Sequence, residues 1–228
     1  MILYKDRTDA GKSLAERVAQ EVPDPVRPLV LGIPRGGVPV GAPLARLLSC
    51  PLDVLVLRKL PIPGNDQMGF GAVTLGRMVL LNQRLVDLGY VDPHRIPGIV
   101  DEVYREVLRR NRAYRGDRPF PEVSGRTVFV VDDGLATGYT MLVALDFLRE
   151  QAPERLVAAV PVAQANAWEL AGRKADHVVC LHVDHGYSFS VASFYRSFPD
   201  LEDQEVIRIL ESMPSPARAS ADHRPKHP

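Results

Sequence analysis

Residues 128–140 read VFVVDDGLATGYT: four apolar residues, two adjacent aspartates, then a run of small and hydroxylated residues. Neighbouring side chains in a strand point to opposite faces, so Asp132 and Asp133 cannot address one spot while the strand continues. Where the chain curls into a loop at the strand's carboxyl end, both reach the crevice above the sheet, and open α/β sheets bind ligands there. The loop from Gly134 to Thr140 then runs into a helix. Its small residues leave backbone N–H groups accessible, and the helix N-terminus adds partial positive charge, a combination suited to a phosphate. The hydroxyls of Thr137 and Thr140 are further donors to the same group. Two carboxylates for hydroxyls or a metal, one short turn from a phosphate cradle, match the spacing of a sugar 5-phosphate. Helix capping accounts for Asp133 or Thr137 alone, but leaves the second aspartate without a role.

Outward from this stretch, apolar runs alternate with helical patterns. A helix begins near Asp9 and carries Leu14, Ala15, Val18 and Ala19 on one face. Residues 29–33 read as a strand ending in Pro34-Arg35-Gly36-Gly37. The helix after it runs through Leu44, Leu47 and Leu48, with Pro39 and Pro43 pushing its regular part towards the later residues. Residues 53–57, DVLVL, read as a second strand ending at Arg58-Lys59. Residues 60–69, LPIPGNDQMG, have loop composition, and the two runs flanking Gly76-Arg77 read as a hairpin. A long helix through Val100, Val103, Tyr104, Val107 and Leu108 has a basic outer face (Arg105, Arg109, Arg110, Arg112). Beyond residue 138 come a helix over 139–150, a strand over 156–162, a short helix around Trp168 and a strand over 177–181. Continuous apolar strands interleaved with helices predict a mostly parallel, doubly wound α/β sheet with flanking helices and a hairpin insertion. It fills one domain over residues 1–212. Residues 213–228, rich in proline, are expected to be a disordered tail.

The chain has 228 residues, 46% of them apolar and 25% charged, with 28 basic side chains against 28 acidic ones. That balance leaves no global field to draw it to nucleic acid or an anionic membrane. The arginine-rich stretch 105–118 is interrupted by Glu106 and Asp117 and has no aromatic platform, so it reads as a solvated face and not a nucleic-acid surface. Cys50 and Cys180 lie beside apolar stretches and read as buried free thiols in a reducing compartment. With no apolar run of signal-peptide or membrane-spanning length, the expectation is a cytoplasmic protein without a membrane partner. Gly11-Lys12-Ser13 is not a P-loop, because the glycine that should open that motif falls at Asp6. His182, Asp184 and His185 lack a further ligand at metal spacing.

Three further segments bear on chemistry. Arg35 supplies fixed positive charge, while Gly36 and Gly37 let backbone amides approach an anion closely. Arg58 and Lys59, ending the neighbouring strand, reach the same crevice. The 60–69 loop suits a lid over a reactive ligand, and its hairpin continuation serves equally as a homodimer contact. Phe189, within YSFSV at 187–191, could stack an acceptor or pack in the core.

The 128–140 stretch resembles the thirteen-residue phosphoribosyl pyrophosphate signature of type I phosphoribosyltransferases. Pro34-Arg35-Gly36-Gly37 resembles that family's pyrophosphate loop. Leu57-Arg58-Lys59, with Pro63-Gly64-Asn65 and Gly69-Phe70-Gly71-Ala72-Val73, resembles the flexible-loop region of a poorly characterised bacterial branch. The similarity covers roughly residues 2–210. It implies a glycosyl (pentosyl) transferase of nucleotide metabolism whose donor is 5-phospho-α-D-ribose 1-diphosphate with Mg2+, and an unidentified acceptor, a nucleobase among the candidates. The implied catalytic residues are Asp132, Asp133, Arg35 and Lys59. The phosphoribosyl group falls to Gly134, Leu135, Ala136, Thr137, Gly138, Tyr139 and Thr140, and the pyrophosphate to Arg35, Gly36, Gly37, Arg58 and Lys59. Phe189 is the acceptor candidate, and no side chain is assigned as a direct metal ligand. The family often carries a strained or cis peptide in the pyrophosphate loop, expected here at Arg35-Gly36. The alternatives are a non-catalytic or regulatory ribose-phosphate-binding protein and a related hydrolase or phosphorylase-like activity.

Overall fold

Asp6 accepts a hydrogen bond from the Asp9 amide and so starts the first helix, α1 (Arg7–Glu21), slightly ahead of the expected position. The computed structural model describes residues 2–186 and 188–213, with the backbone alone at residues 65–68. After α1 come β1 (Leu29–Gly32), α2 (Gly37–Leu47), β2 (Leu52–Val54), β3 (Leu57–Ile62), β4 (Asn65–Thr74), β5 (Val79–Leu81), α3 (Gln83–Asp87) and α4 (Ile96–Arg115). The second half is β6 (Thr127–Val131), α5 (Tyr139–Arg149), β7 (Arg155–Gln164), α6 (Ala165–Gly172), β8 (His177–Asp184) and α7 (Asp203–Glu211).

Five strands form one parallel sheet in the order β2-β1-β6-β7-β8, the doubly wound arrangement expected. Both faces are buried because alternate side chains feed two cores. Phe129 and Val131 of β6 pack with Leu14 and Val18 of α1 and Val38 and Leu44 of α2. Val128 and Val130 face the other way, with Met141, Leu145 and Leu148 of α5 and Ala167 and Ala171 of α6. Met213, placed with the tail on sequence grounds, is 7% exposed and belongs to the first core. Residues 214–228 lie outside the described residues.

α2 begins at Gly37, so the expectation that its prolines delay the regular helix is overturned. Pro39 sits in the first turn, where a missing N–H has no intrahelical partner to lose. Pro43 does remove an interior bond, and packing holds the helix there. A Cβ at Gly11 would lie 2.4 Å from the Val40 carbonyl oxygen, so only glycine lets α1 cross α2 so closely.

The expected strand over 53–57 is split. β2 ends at Val54, whose carbonyl accepts from Arg115 Nη2 at 2.6 Å, and Leu57 opens a separate antiparallel sheet, β3-β4-β5. Arg58 and Lys59 are therefore the second and third residues of that hairpin sheet and do not end a strand of the main sheet. The expected 60–69 loop is also shorter than its composition suggests. Ile62 pairs with Asn65 across a two-residue turn, Pro63-Gly64, with Gly64 at φ 83°. The hairpin around Gly76-Arg77 is present as expected, with β4 and β5 antiparallel. Cys50 and Cys180 are both free, the first buried and the second half-buried. No described helix is long and apolar enough to cross a membrane.

Arg115 forks onto Asp53 at 3.0 and 3.3 Å, with side-chain exposures of 1% and 3%. Cutting one partner of such a pair strands a buried charge. Asp53→Ala should therefore lower stability by about 3 kcal/mol or more in denaturant titration. A change within about 0.5 kcal/mol, the range of an ordinary surface substitution, would mean that Arg115 finds water instead.

Candidate functional site

The winding direction reverses between β1 and β6. β1 passes to α2 on one face of the sheet and β6 passes to α5 on the other, which leaves a crevice beyond their carboxyl ends. The loops flanking it are packed tightly. A Cβ on Gly36 would lie 1.9 Å from Asp133 Oδ2, and one on Gly37 would lie 2.1 Å from the Val131 carbonyl oxygen. These two glycines therefore admit the end of β6 before they admit any anion, and the Gly37 amide is already bonded to the Ile33 carbonyl at 2.9 Å. The cis peptide lies between Pro34 and Arg35, one bond ahead of the expected Arg35-Gly36.

The adjacent aspartates have different surroundings. Asp132 Oδ1 accepts from the Asp133 amide at 2.9 Å. Burial, and then the neighbouring Asp133 charge, push the Asp132 carboxyl well above the usual carboxylate range. Burial raises the Asp133 carboxyl too, but Arg7 opposes the rise through a 2.7 Å hydrogen bond from its Nε to Asp133 Oδ2, and the Tyr195 hydroxyl donates to the Asp133 carbonyl at 2.7 Å. Arg7 is in turn fixed by the Pro199 carbonyl at 2.8 Å and lies 3.6 Å over the Phe198 ring. Sequence reading missed Arg7, Tyr195 and Phe198. They sit in a helix start and a late irregular segment, and no local pattern links them to residue 133.

The loop from Gly134 to Thr140 divides in two. Leu135 is buried, its amide donates to the Val162 carbonyl at 2.9 Å, and its carbonyl accepts from the Gln164 amide at 2.9 Å. It stitches the loop to β7, which leaves its amide unavailable to a phosphate. A Cβ on Gly134 would meet Val191, and one on Gly138 (φ 77°) would face Ala167 of α6. Ala136 and Thr137 are exposed and Thr140 half-buried, and among the described residues the two threonine hydroxyls carry no hydrogen bond. The first helical bond runs from the Leu142 amide to the Gly138 carbonyl, so the amides of Tyr139, Thr140 and Met141 form the electropositive start of α5.

Arg35, on the loop across from the aspartates, has Nη1 3.8 Å from Asp203 of α7. Asp203 also accepts from the Tyr114 hydroxyl and lies 4.0 Å from Arg109. Arg58 pairs with Glu106 of α4 at 3.1 Å, and Lys59 is exposed beside it. Phe189 stacks on Phe194 at 5.4 Å, in a cluster with Tyr4 and Tyr195, which favours its core role. Tyr187 lies outside the described residues. Among the described residues no three His, Cys, Asp or Glu side chains converge on a metal-sized space.

The Phosphoribosyl transferase domain family matches residues 4–193. Two curated Mycobacterium tuberculosis proteins, "Putative phosphoribosyl transferase Rv0571c" of strain H37Rv and "Putative phosphoribosyl transferase MT0597" of strain CDC 1551, are each 37% identical over 211 residues. The matches cover 92% of this chain but 47% of each relative, so the chain spans about half their length. The crystal structure of TT1426 from Thermus thermophilus superposes with a TM-score of 0.75 at 37% identity, covering 92% of this chain and 98% of that one.

The aspartates should separate in unliganded unfolding experiments. A carboxyl whose folded value is raised stabilises the fold while protonated and loses that contribution as pH rises through the raised value. Asp132→Asn should therefore melt higher than wild type at pH 7, and the gap should close below about pH 4, the ordinary aspartate value. Asp133→Ala should melt lower, by about 3 kcal/mol, because it strands the buried Arg7. Equal effects of the two substitutions would refute the division.

Proposed function

The chain belongs to the phosphoribosyl transferase family, and from that premise we propose that it transfers the 5-phosphoribosyl group of 5-phospho-α-D-ribose 1-diphosphate to an acceptor with release of pyrophosphate. One juxtaposition carries the reading. A carboxylate pair lies between the electropositive start of α5 and the Arg35 loop, across the switch point of a doubly wound sheet. In this reading the 5-phosphate rests on the amides and hydroxyls from Ala136 to Thr140. Asp132 and Asp133 take the ribose hydroxyls, and Arg35 with Lys59 takes the pyrophosphate.

As the bond to pyrophosphate lengthens, positive charge grows at the anomeric carbon and negative charge on the leaving group. Arg35, with fixed charge at a packed loop, stabilises the latter, and Lys59 adds to it from β3. The carboxylates hold the ribose in line for displacement and oppose its developing charge. Two adjacent carboxylates without nitrogen or sulfur donors suit a hard cation such as Mg2+ that keeps most of its waters. When bound with the donor, Mg2+ supplies further positive charge for the leaving group. The β3–β4 hairpin, with its Pro63-Gly64 tip, would close over the donor and limit its hydrolysis.

A regulatory ribose-phosphate sensor would use the same contacts. It is favoured by one observation: Asp133 and Arg35 already have internal counter-charges in Arg7 and Asp203. Calorimetry on variants tests the site. Losing one charge-assisted bond is worth about 1.5–3 kcal/mol, so Arg35→Ala should weaken donor binding about tenfold or more. Its ribose 5-phosphate affinity should stay within about twofold of wild type. Thr137→Ala with Thr140→Ala should weaken both ligands. Equal loss of both ligands in Arg35→Ala would make the arginine structural. Donor binding without pyrophosphate release to any nucleobase or to water would hand the function to the sensor reading.

A further inference from the structure

The donor reading draws on only one residue, Lys59, of a second charged feature. Between β3 and α4 lies an open groove of about 730 Å³, lined among the described residues by Arg58, Lys59, Arg105 and Arg109 and by Glu102 and Glu106. Glu106 is shared by three guanidiniums: Arg58 at 3.1 Å, Arg109 at 2.6 and 2.8 Å, and Arg110 at 3.0 Å. With Arg105 added and Glu102 and Glu106 both subtracted, the four guanidiniums Arg58, Arg105, Arg109 and Arg110 still leave two positive charges among the described residues. Asp203 relieves little of this, because it lies 4.0 Å from Arg109 and is also the counter-charge of Arg35. Hydrogen bonds from Arg109 hold the Glu106 carboxyl down at about 2, so the carboxylate is fully charged at neutral pH and the surplus is already net of it. Burial, and then the charges of Arg110, Arg109 and Arg35, lower the Arg58 guanidinium from its ordinary value, as crowded cations should.

We propose that this groove is a second anion-binding site, which takes the carboxylate or phosphate group of a molecule other than the donor while the donor is bound. Pro61 and Val103 give the groove an apolar wall between its cations, which suits a planar body carrying the acid. Arg105 and Arg109 come from α4 and lie outside the proposed donor contacts, and both are exposed. The site therefore goes beyond the donor reading and borrows from it only the position of the donor. An acidic acceptor and a phosphate-bearing effector share this chemistry.

The test titrates two probes, inorganic pyrophosphate and isophthalate, into the full chain with and without saturating donor. Wild type should bind two equivalents of pyrophosphate alone and one with donor present. Arg105→Ala with Arg109→Ala should remove one equivalent in each case and leave ribose 5-phosphate affinity within about twofold. Glu106→Gln removes the internal competitor and should tighten the donor-saturated equivalent about threefold or more, a gain that a purely structural Glu106 would not produce. Isophthalate bound at the same equivalent points to an acidic acceptor. Pyrophosphate without isophthalate points to a phosphate-bearing effector. A single equivalent that is abolished by Arg35→Ala and indifferent to the α4 variants overturns the groove and leaves the donor reading intact. Failure of the donor itself to bind would sink the donor reading, and the α4 variants would still report on the groove in the donor-free titration.

Discussion

The contact on which the site depends is the close approach of two backbones at the switch point, Gly36 and Gly37 against the stretch from Val131 to Asp133. A side chain at either glycine would occupy space already held by Asp133 or by the Val131 carbonyl. Because the loops touch, Arg35 and the aspartate pair are held at a separation set by backbone packing and not by flexible side chains. At that point burial and the neighbouring Asp133 charge raise the Asp132 carboxyl. Burial and like charge together make the empty site electrostatically unfavourable, and a ligand that supplies hydroxyl donors or a cation relieves it. Fold and affinity are thus linked through two residues without side chains.

The unliganded protein answers its own charges with internal partners. Arg7 meets Asp133, Asp203 meets Arg35, and Glu106 meets Arg58. These pairs differ in depth. Arg7 and Asp133 have side-chain exposures of 10% and 16%, in a setting where water screens little, whereas Arg35 and Asp203 are 35% and 28% exposed and 3.8 Å apart. The first pair acts as part of the fold, while the second is weak enough for an incoming anion to displace. α7 therefore meets Arg35 through a replaceable contact, while the Tyr114 hydroxyl and Arg109 of α4 also engage Asp203.

Much of this was legible in the sequence because it depends on local order. Strand, acid pair, small loop and helix follow one another in VFVVDDGLATGYT, and the sheet makes that order a site wherever the winding reverses. The failures share a different cause. Leu135 looks like a loop residue, yet its amide and side chain are taken by β7, some thirty residues later. Proline and glycine suggested a loop over 60–69, whereas cross-strand pairing leaves only a two-residue turn at 63–64. Arg7 and Asp203 could not be read at all, since charge partners 126 residues or one whole domain traverse away leave no periodic trace.

The split of the expected 53–57 strand ties these threads together. Arg115 caps β2 by bonding the Val54 carbonyl and Asp53, so the edge of the parallel sheet ends there, and the chain, with Leu55 and Val56 still buried, swings into the separate hairpin sheet. That departure carries Arg58 and Lys59 away from the edge of the main sheet and sets them against α4. In the hairpin they face Glu106 and Arg109 across the groove, while Arg35's charge still reaches Arg58. One buried ion pair thereby spreads the protein's positive charge over two neighbouring regions, a packed one at the Arg35 loop and an open one along α4. An antiparallel hairpin bordered by both can respond to either through Arg58 and Lys59.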